Sequence, residues 1–181
     1  MAAPELPPIR RIVTEEGTDG RARIMADGPS PSVKTVAERP GYRITNLWRT
    51  TSSPPPIGEP DAIAQHQGLG PMKGGTVLRV VDYPPESGDA AERKRQQAAS
   101  FGQLFKDAEH RLENAKHPGM HRTDTIDYAI VLEGEIVAIL DEHETVMKAG
   151  DIMIQRGTAH AWANRSGKPA RIAFILVDAT R

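Results

Sequence analysis

Short runs of apolar or alternating residues recur through the second half of the chain, and turns such as Glu133-Gly134 and Ala149-Gly150 separate them. Strands of this length, interrupted this regularly, are typical of a sandwich or a barrel. The strands predicted there cover residues 76–83, 128–132, 135–140, 145–148, 151–155, 160–164 and 170–177. The pattern therefore favours an all-β fold.

The first 74 residues carry a weaker pattern of the same kind. Strands are predicted there at residues 11–14, 23–25 and 42–50. Residues 1–8 form a proline-rich arm, and residues 51–75 are rich in Pro, Gly and Ser, which predicts a long loop. We expect residues 1–74 to pack on a barrel formed by residues 75–181.

One stretch, at about residues 89–116, is charged and contains no β-branched residue, which predicts a helix. Asp89 and Glu92 have the spacing of a helix start, and the sequence 117–119, His-Pro-Gly, is a stop signal. Its apolar residues fall on one helical stripe: Phe101, Leu104, Phe105, Ala108 and Leu112. This inserted helix either packs on the outside of the barrel or forms a lid over its mouth.

Composition excludes several classes of protein. The 181 residues include no cysteine, so thiol catalysis is excluded, and the net charge of −1 gives no reason to expect nucleic acid or an anionic membrane as partner. No apolar run has the length of a membrane span, and the N-terminus lacks the pattern of a secretory signal. We therefore expect a soluble, cytoplasmic protein.

Chemistry-bearing residues cluster in two segments of the predicted barrel. In the first, His121, Thr123 and Asp127 precede a strand that ends in a turn at Gly134, and Gly134 lies seven residues after Asp127. All three side chains have odd numbers, so they share one face if the segment is extended. In the second segment, Gly150-Asp151 is followed by a stretch running from Gly157 through His160 to Asn164. His160 and Trp162 share a face in the same way.

These two segments, over about residues 75–178, resemble the two motifs of the cupin family. The resemblance implies a double-stranded β-helix, or jelly-roll, barrel with an N-terminal strand extension and one inserted helix. It also implies a homodimer, since cupins are often dimers. In the family, the first-motif histidines and glutamate and the second-motif histidine bind a metal together. Here His121, Asp127 and His160 match three of those positions, and Thr123 replaces the second histidine.

Two imidazoles and a carboxylate suit divalent Fe, Mn, Ni, Co or Zn. The hydroxyl of Thr123 is a poor ligand, and Asp127 is one methylene shorter than glutamate. Two interpretations therefore stay open: a metal held by His121, Asp127 and His160, or a metal-free pocket in which the same residues transfer protons.

Other residues are candidates for weaker reasons. Trp162, Thr123 and Tyr128 are candidate substrate-binding residues, because they lie beside the motif residues. His66 lies in the long loop and could complete the site. Arg156 could anchor an anionic substrate or face solvent.

The sequence predicts a cupin-type enzyme that acts on a small organic molecule in the barrel, with metal-assisted oxygenase or lyase chemistry first. The alternatives are a metal-free lyase, dehydratase or isomerase that uses His and Asp for proton transfer, and a non-catalytic small-ligand-binding cupin. The resemblance alone does not choose among these activities.

Overall fold

The computed structural model of the protein describes residues 5–110 and 115–181. Its elements in chain order are β1 (Arg10–Glu16), β2 (Ala22–Pro29), β3 (Ser32–Thr35), β4 (Arg43–Thr50), a 3₁₀ turn (Ile63–Gln65), β5 (Thr76–Tyr83), α1 (Ala90–Leu104), β6 (Glu109–His110), β7 (His121–Arg122), β8 (Thr125–Glu133), β9 (Glu135–Leu140), β10 (Glu144–Lys148), β11 (Ile152–Arg156), β12 (His160–Ala163) and β13 (Ala170–Asp178).

The strands form two facing antiparallel sheets and a separate ribbon. The larger sheet has the order β11-β8-β13-β5-β4-β3, and the smaller one has the order β10-β9-β12-β7-β6. Apolar side chains from both sheets meet in one core, with Val131 and Ile172 from the larger sheet and Ile136 and Trp162 from the smaller. The predicted all-β cupin-like barrel is therefore confirmed.

Alternation along the strands fills the space between the sheets. On β8, Ala129 and Val131 are fully buried, whereas Tyr128 and Leu132 are exposed. Successive side chains of a strand point to opposite faces, so odd-numbered residues of β8 face the interior. The same alternation on β5 sends Arg79 inward among its apolar neighbours.

The N-terminal region contributes strands to the barrel as well as covering it. β4 pairs with β5 along its length, and β3, which the sequence pattern did not predict, pairs with β4. Asp82 on β5 accepts hydrogen bonds from Arg43 and from Arg171 of β13, and the Nη2 of both arginines also bonds to the Pro7 carbonyl. The predicted extension of one sheet by N-terminal strands is confirmed.

The helix is shorter than its sequence predicts. Asp89 accepts hydrogen bonds from the backbone amides of Ala91 and Glu92, which confirms the predicted start. α1 ends at Leu104, however, and the chain then turns into β6, so the prediction of helix to residue 116 is wrong. Asp107 explains the end, because its carboxylate accepts hydrogen bonds from backbone amides of the long loop. Leu112 lies outside the described residues.

The outer face of the larger sheet is apolar at one side. Its exposed residues there are Ile126, Tyr128, Leu132, Ile152 and Ile154. The homodimer that the cupin resemblance implies stays a prediction. Among the described residues, no helix is long and apolar enough to cross a membrane. The cellular location also stays a prediction.

Candidate active site

A pocket opens between the two sheets beneath α1. Its lining includes polar side chains from both motif segments, His121, Thr123, Asp127 and His160, together with Arg39, Arg79, Gln97 and Ser100. Aromatic rings make up much of the rest: Tyr42, Tyr83, Phe101, Phe105, Trp162 and Phe174. The two sequence motifs therefore converge on one pocket.

Two imidazoles form one wall of the pocket, called here the histidine wall. His160 on β12 lies opposite His121 on β7 in the sheet register, and the ring centroids are 4.3 Å apart. Trp162 approaches His160 at 5.7 Å between centroids, and Phe101 of α1 approaches His121 at 5.3 Å. α1 therefore lies against the histidines and does not pack on the outside of the barrel.

Gln155 determines which nitrogen of the neutral His160 ring carries the proton. The Thr158 carbonyl oxygen can only accept, so the Gln155 atom 2.8 Å from it is the amide nitrogen, Nε2. The same nitrogen lies 2.6 Å from Nδ1 of His160, whereas Nδ1 lies 3.0 Å from the Thr158 oxygen. Because an amide nitrogen only donates, we assign Nδ1 as the acceptor and place the ring proton on Nε2.

His160 stays neutral near physiological pH. Burial, and to a smaller extent the neighbouring His121, lower its pKa to about 3. The ring is 3% exposed, so the charged form would lose its hydration without gaining a carboxylate partner among the described residues. A neutral imidazole with its proton on Nε2 offers the pocket a hydrogen-bond donor.

Asp127 belongs to the opposite side of the pocket, called here the arginine–aspartate wall, with Arg79. It points inward from β8, and its Oδ1 is buried without a hydrogen-bond partner in the described structure. Burial raises the pKa of Asp127 to about 6, although the side chain of Thr125 and the charge of Arg79 act in the opposite direction. A carboxyl group with this pKa can take up or release a proton near neutral pH.

Arg79 was missed by the sequence analysis. Its Nη2 donates to Nε2 of His66 at 2.9 Å and to the Leu69 carbonyl at 2.7 Å. Burial lowers the pKa of Arg79 to about 10, so it remains charged, and burial together with that charge lowers the pKa of His66 to about 4. The sequence did carry a signal for Arg79, because a single charged residue stands at an inward-facing position of an otherwise apolar strand.

Arg39 brings a second buried cation to the pocket. Its guanidinium lies over the Tyr42 ring, 4.1 Å from the centroid, and 5.7 Å from the centroid of Tyr83. Its Nη1 makes a long hydrogen bond of 3.4 Å to the side-chain oxygen of Gln97 on α1. The sequence offered no signal for Arg39, because it lies in a turn between β3 and β4.

The structure brings the proposed metal ligands to one pocket without assembling them. His121 and His160 are adjacent, but Asp127 interacts with Thr125 and Arg79 on the other wall. Within residues 5–110 and 115–181, no group of three His, Cys, Asp or Glu side chains is placed to hold a metal ion. The residues as placed do not fit a three-ligand metal, and the metal site stays a prediction.

The remaining candidates are divided between the pocket and the surface. Trp162 and Thr123 line the pocket, and His66 reaches it indirectly through Arg79. Tyr128 does not reach it, because it follows Asp127 on β8 and points to the opposite face, where it is 42% exposed. Arg156 is also exposed and lies outside the pocket.

Comparisons with known proteins agree with the fold. Residues 107–177 match the family model of the cupin domain. The chain is 28% identical to phomopsin biosynthesis cluster protein D of Diaporthe leptostromiformis, over 98% of this chain and 82% of that protein. It is 26% identical to the cupin-domain-containing oxidoreductase fogC of Aspergillus ruber, over 93% of this chain and 71% of that protein.

A solved structure of a Cupin 2 conserved barrel domain protein from Salinispora arenicola aligns with a TM-score of 0.43 at 12% identity, covering 80% of this chain and 82% of that chain. The family match spans β7 to β12 and almost all of β13, which carry both motif segments. The matched segment, residues 107–177, is a cupin domain.

Proposed function

We propose that the protein is an enzyme that moves a proton at a carbon next to a carbonyl group of a small organic molecule, as in isomerase, dehydratase and other lyase reactions. One observation carries the proposal. Asp127 is buried in the pocket, has an unpartnered oxygen and has a pKa raised to about 6. A buried carboxyl group of this kind is matched to proton transfer near neutral pH.

The two walls supply complementary groups for such a step. The ionised Asp127 takes the proton from carbon, the C–H electron pair forms a C=C bond, and the C=O pair moves to oxygen. Nε2–H of neutral His160 donates a hydrogen bond to that oxygen and stabilises its developing charge. Asp127 then returns the proton to carbon or to a leaving group, so that no oxidant or reductant is consumed.

Gln155 and Thr158 have positioning roles in this proposal. The Gln155 amide donates both to the Thr158 carbonyl and to Nδ1, which holds the His160 ring in one orientation and selects the tautomer that donates from Nε2. A donor held in place before the reaction needs no reorganisation during it. α1 excludes water from the same space, because Gln97, Ser100 and Phe101 line the pocket.

Metal-assisted chemistry is the second candidate, and the names of relatives favour it. Matched proteins of Aspergillus ruber and Hypocrea virens are called cupin-domain-containing oxidoreductases, and the second is 44% identical over 63 residues, which cover 33% of this chain and 32% of that protein. His121, His160 and Asp127 would be the ligands. That arrangement requires Asp127 to move from Thr125 towards the histidines.

Deuterium incorporation from D2O tests the proposal. Phenylpyruvate and phenylacetone each carry CH2 hydrogens next to a carbonyl, and ¹H NMR follows their loss. We expect the protein to accelerate exchange of at least one probe, with the same rate before and after treatment with a chelator. Elemental analysis of the same sample reports its metal content.

Two results would support the alternative functions, a metal-assisted enzyme or a non-catalytic binding protein. Acceleration that disappears with the chelator and returns with added iron, manganese, nickel or zinc would establish the metal-assisted candidate. Binding of both probes without any acceleration would indicate a non-catalytic binding cupin.

A further inference from the structure

The charges that line the pocket do not balance. Arg39 and Arg79 are 5% and 2% exposed, and neither forms an ion pair with a carboxylate among the described residues. Asp127 is the acidic side chain in the described lining. Burial raises the pKa of the Tyr42 and Tyr83 hydroxyls, so they carry no charge at neutral pH. The pocket therefore has an excess of buried positive charge at neutral pH.

Arg79 also has hydrogen-bonding capacity that the described residues leave unused. Its Nη2 is occupied by His66 and the Leu69 carbonyl, but its buried Nε has no partner. A buried donor on a charged group without a partner costs free energy, and natural sites seldom leave one without a purpose. The unpartnered Oδ1 of Asp127 lies in the same pocket.

Aromatic rings make up much of the rest of the lining. Trp162 and Phe174 lie edge to face, with centroids 5.3 Å apart, and Phe101 and Phe105 of the α1 region meet at 5.7 Å. Aromatic side chains favour edge and offset contacts with another ring. The lining therefore favours a ligand that carries an aromatic ring.

We propose that the pocket binds a small planar aromatic molecule that carries one carboxylate, with that carboxylate at Arg79 and the second positive charge supplied by Arg39. A monoanion matches the excess of one buried positive charge, and its oxygen accepts from Nε–H of Arg79. The proposal names the substrate class of the proposed enzyme and rests on that function, although binding itself is measurable without turnover.

Calorimetric titration with three probes tests the charge and the shape separately. Benzoate has both features, benzamide has the same shape without the charge, and inorganic phosphate has charge without the ring. We expect benzoate to bind at least about 30-fold more tightly than benzamide, because the neutral amide leaves a buried guanidinium unpaired. We expect no heat of binding from phosphate. Equal binding of benzoate and benzamide, or phosphate binding as tight as benzoate, would overturn the proposal.

Two arginine variants locate the effect. Arg79→Lys keeps the charge but removes Nε–H, and we expect it to weaken benzoate binding about 10-fold or more without changing benzamide binding. Arg156→Met is the control, since Arg156 is exposed outside the pocket, and it should bind benzoate as the natural protein does. Thermal unfolding checks that each variant is folded. If Arg79→Lys does not fold, Arg39→Lys replaces it, with the weaker expectation of a several-fold loss.

The outcomes separate this inference from the proposed function. Tight, Arg79-dependent benzoate binding without deuterium exchange in either keto compound would retain the carboxylate site and reject the proton-transfer enzyme. Equal exchange of phenylpyruvate and phenylacetone would retain the enzyme and reject the carboxylate site. Weak or absent binding of benzoate to a folded protein would reject the inference directly.

Discussion

The two walls of the pocket differ in how they hold buried polar groups. On the histidine wall, His160 is neutral, and its Nδ1 accepts a hydrogen bond from the Gln155 amide, which the Thr158 carbonyl holds in place. On the arginine–aspartate wall, Arg79 carries a charge, and both Arg79 and Asp127 have an atom without a partner. Contacts within the protein therefore position the polar groups of the histidine wall. On the arginine–aspartate wall, the unpartnered atoms are available to a bound ligand.

This difference assigns different roles to the walls. On the histidine wall, His160 donates a hydrogen bond from a fixed orientation, and its pKa of about 3 keeps it neutral between pH 5 and 8. The arginine–aspartate wall changes its charge near pH 6, through Asp127. Asp127, and not His160, should therefore contribute to the pH dependence of activity in this range.

The largest expected effect is a fall in the proton-transfer rate when Asp127 is replaced by a residue that cannot take up a proton. Asp127→Asn keeps the shape of the side chain but cannot take up a proton, so we expect the rate of probe deuteration to fall ~10²–10⁴-fold. The fall in rate below pH 6 should also disappear. Asp124→Asn is a matched control, because Asp124 is exposed at the surface and bonds to Arg181. Equal rates for the two variants would exclude Asp127 as the base.

The next largest expected effect is a loss of stability when the His160 ring is removed. His160→Ala creates a cavity and leaves the Gln155 amide without one acceptor, which together cost ~2–4 kcal/mol. Urea unfolding should give a smaller loss at pH 5 than at pH 8, because the pKa of the folded ring is about 3, so at pH 5 the unfolded ring is protonated and the folded ring is not. His143→Ala, at an exposed position, is the control. An equal loss at the two pH values would contradict the lowered pKa of His160.

The stability of the protein should fall with rising pH because of Asp127. Its pKa is raised from 3.8 to about 6 on folding, so the folded state favours the protonated form. Its contribution is complete below pH 3.8, is lost as pH rises through 6, and amounts to ~3 kcal/mol at most. Asp127→Asn should remove this part of the pH dependence and be more stable than the natural protein at pH 8.

Unfolding in guanidinium chloride at several pH values from 4 to 8 measures this effect, with Asp124→Asn again as the control. An unchanged difference between Asp127→Asn and the natural protein across this range would contradict the raised pKa.

The smallest effect is expected at the helix that covers both walls. Asp89→Ala removes the hydrogen bonds to the amides of Ala91 and Glu92 and should cost ~1 kcal/mol. Amide hydrogen exchange should become faster in α1 and stay unchanged in β8 and β13. Equal acceleration in the sheets would mean that the helix does not open separately, and would argue against a lid.

Much of the fold and half of the site could be predicted from the sequence. β5 and β9 have the bounds predicted from alternation and flanking turns, because both signals are local. The glycine at position 134, with a φ of 72°, ends β8 in a tight turn and sets the register that turns Asp127 inward. The spacing of residues in the second motif predicted that His160 belongs to the site.

The other half of the site depends on contacts between distant segments. Arg79 is held by His66 and by the backbone of the long loop, and Asp107 holds that loop from beyond α1. The periodicity of apolar residues along the sequence does not indicate such contacts. Asp107 also explains the wrong helix length, because a tertiary hydrogen bond overrode a favourable local pattern.

The position of β13 has a consequence for the order in which the protein is made. β13 lies between β5 and β8 and pairs with both, so nothing else joins these two strands in the larger sheet. During synthesis, β5 and β8 leave the ribosome with open edges and remain unjoined until residues 170–178 emerge. The nascent chain therefore holds both motif segments in an unclosed barrel, and the pocket comes into existence only in the last step of translation of this domain.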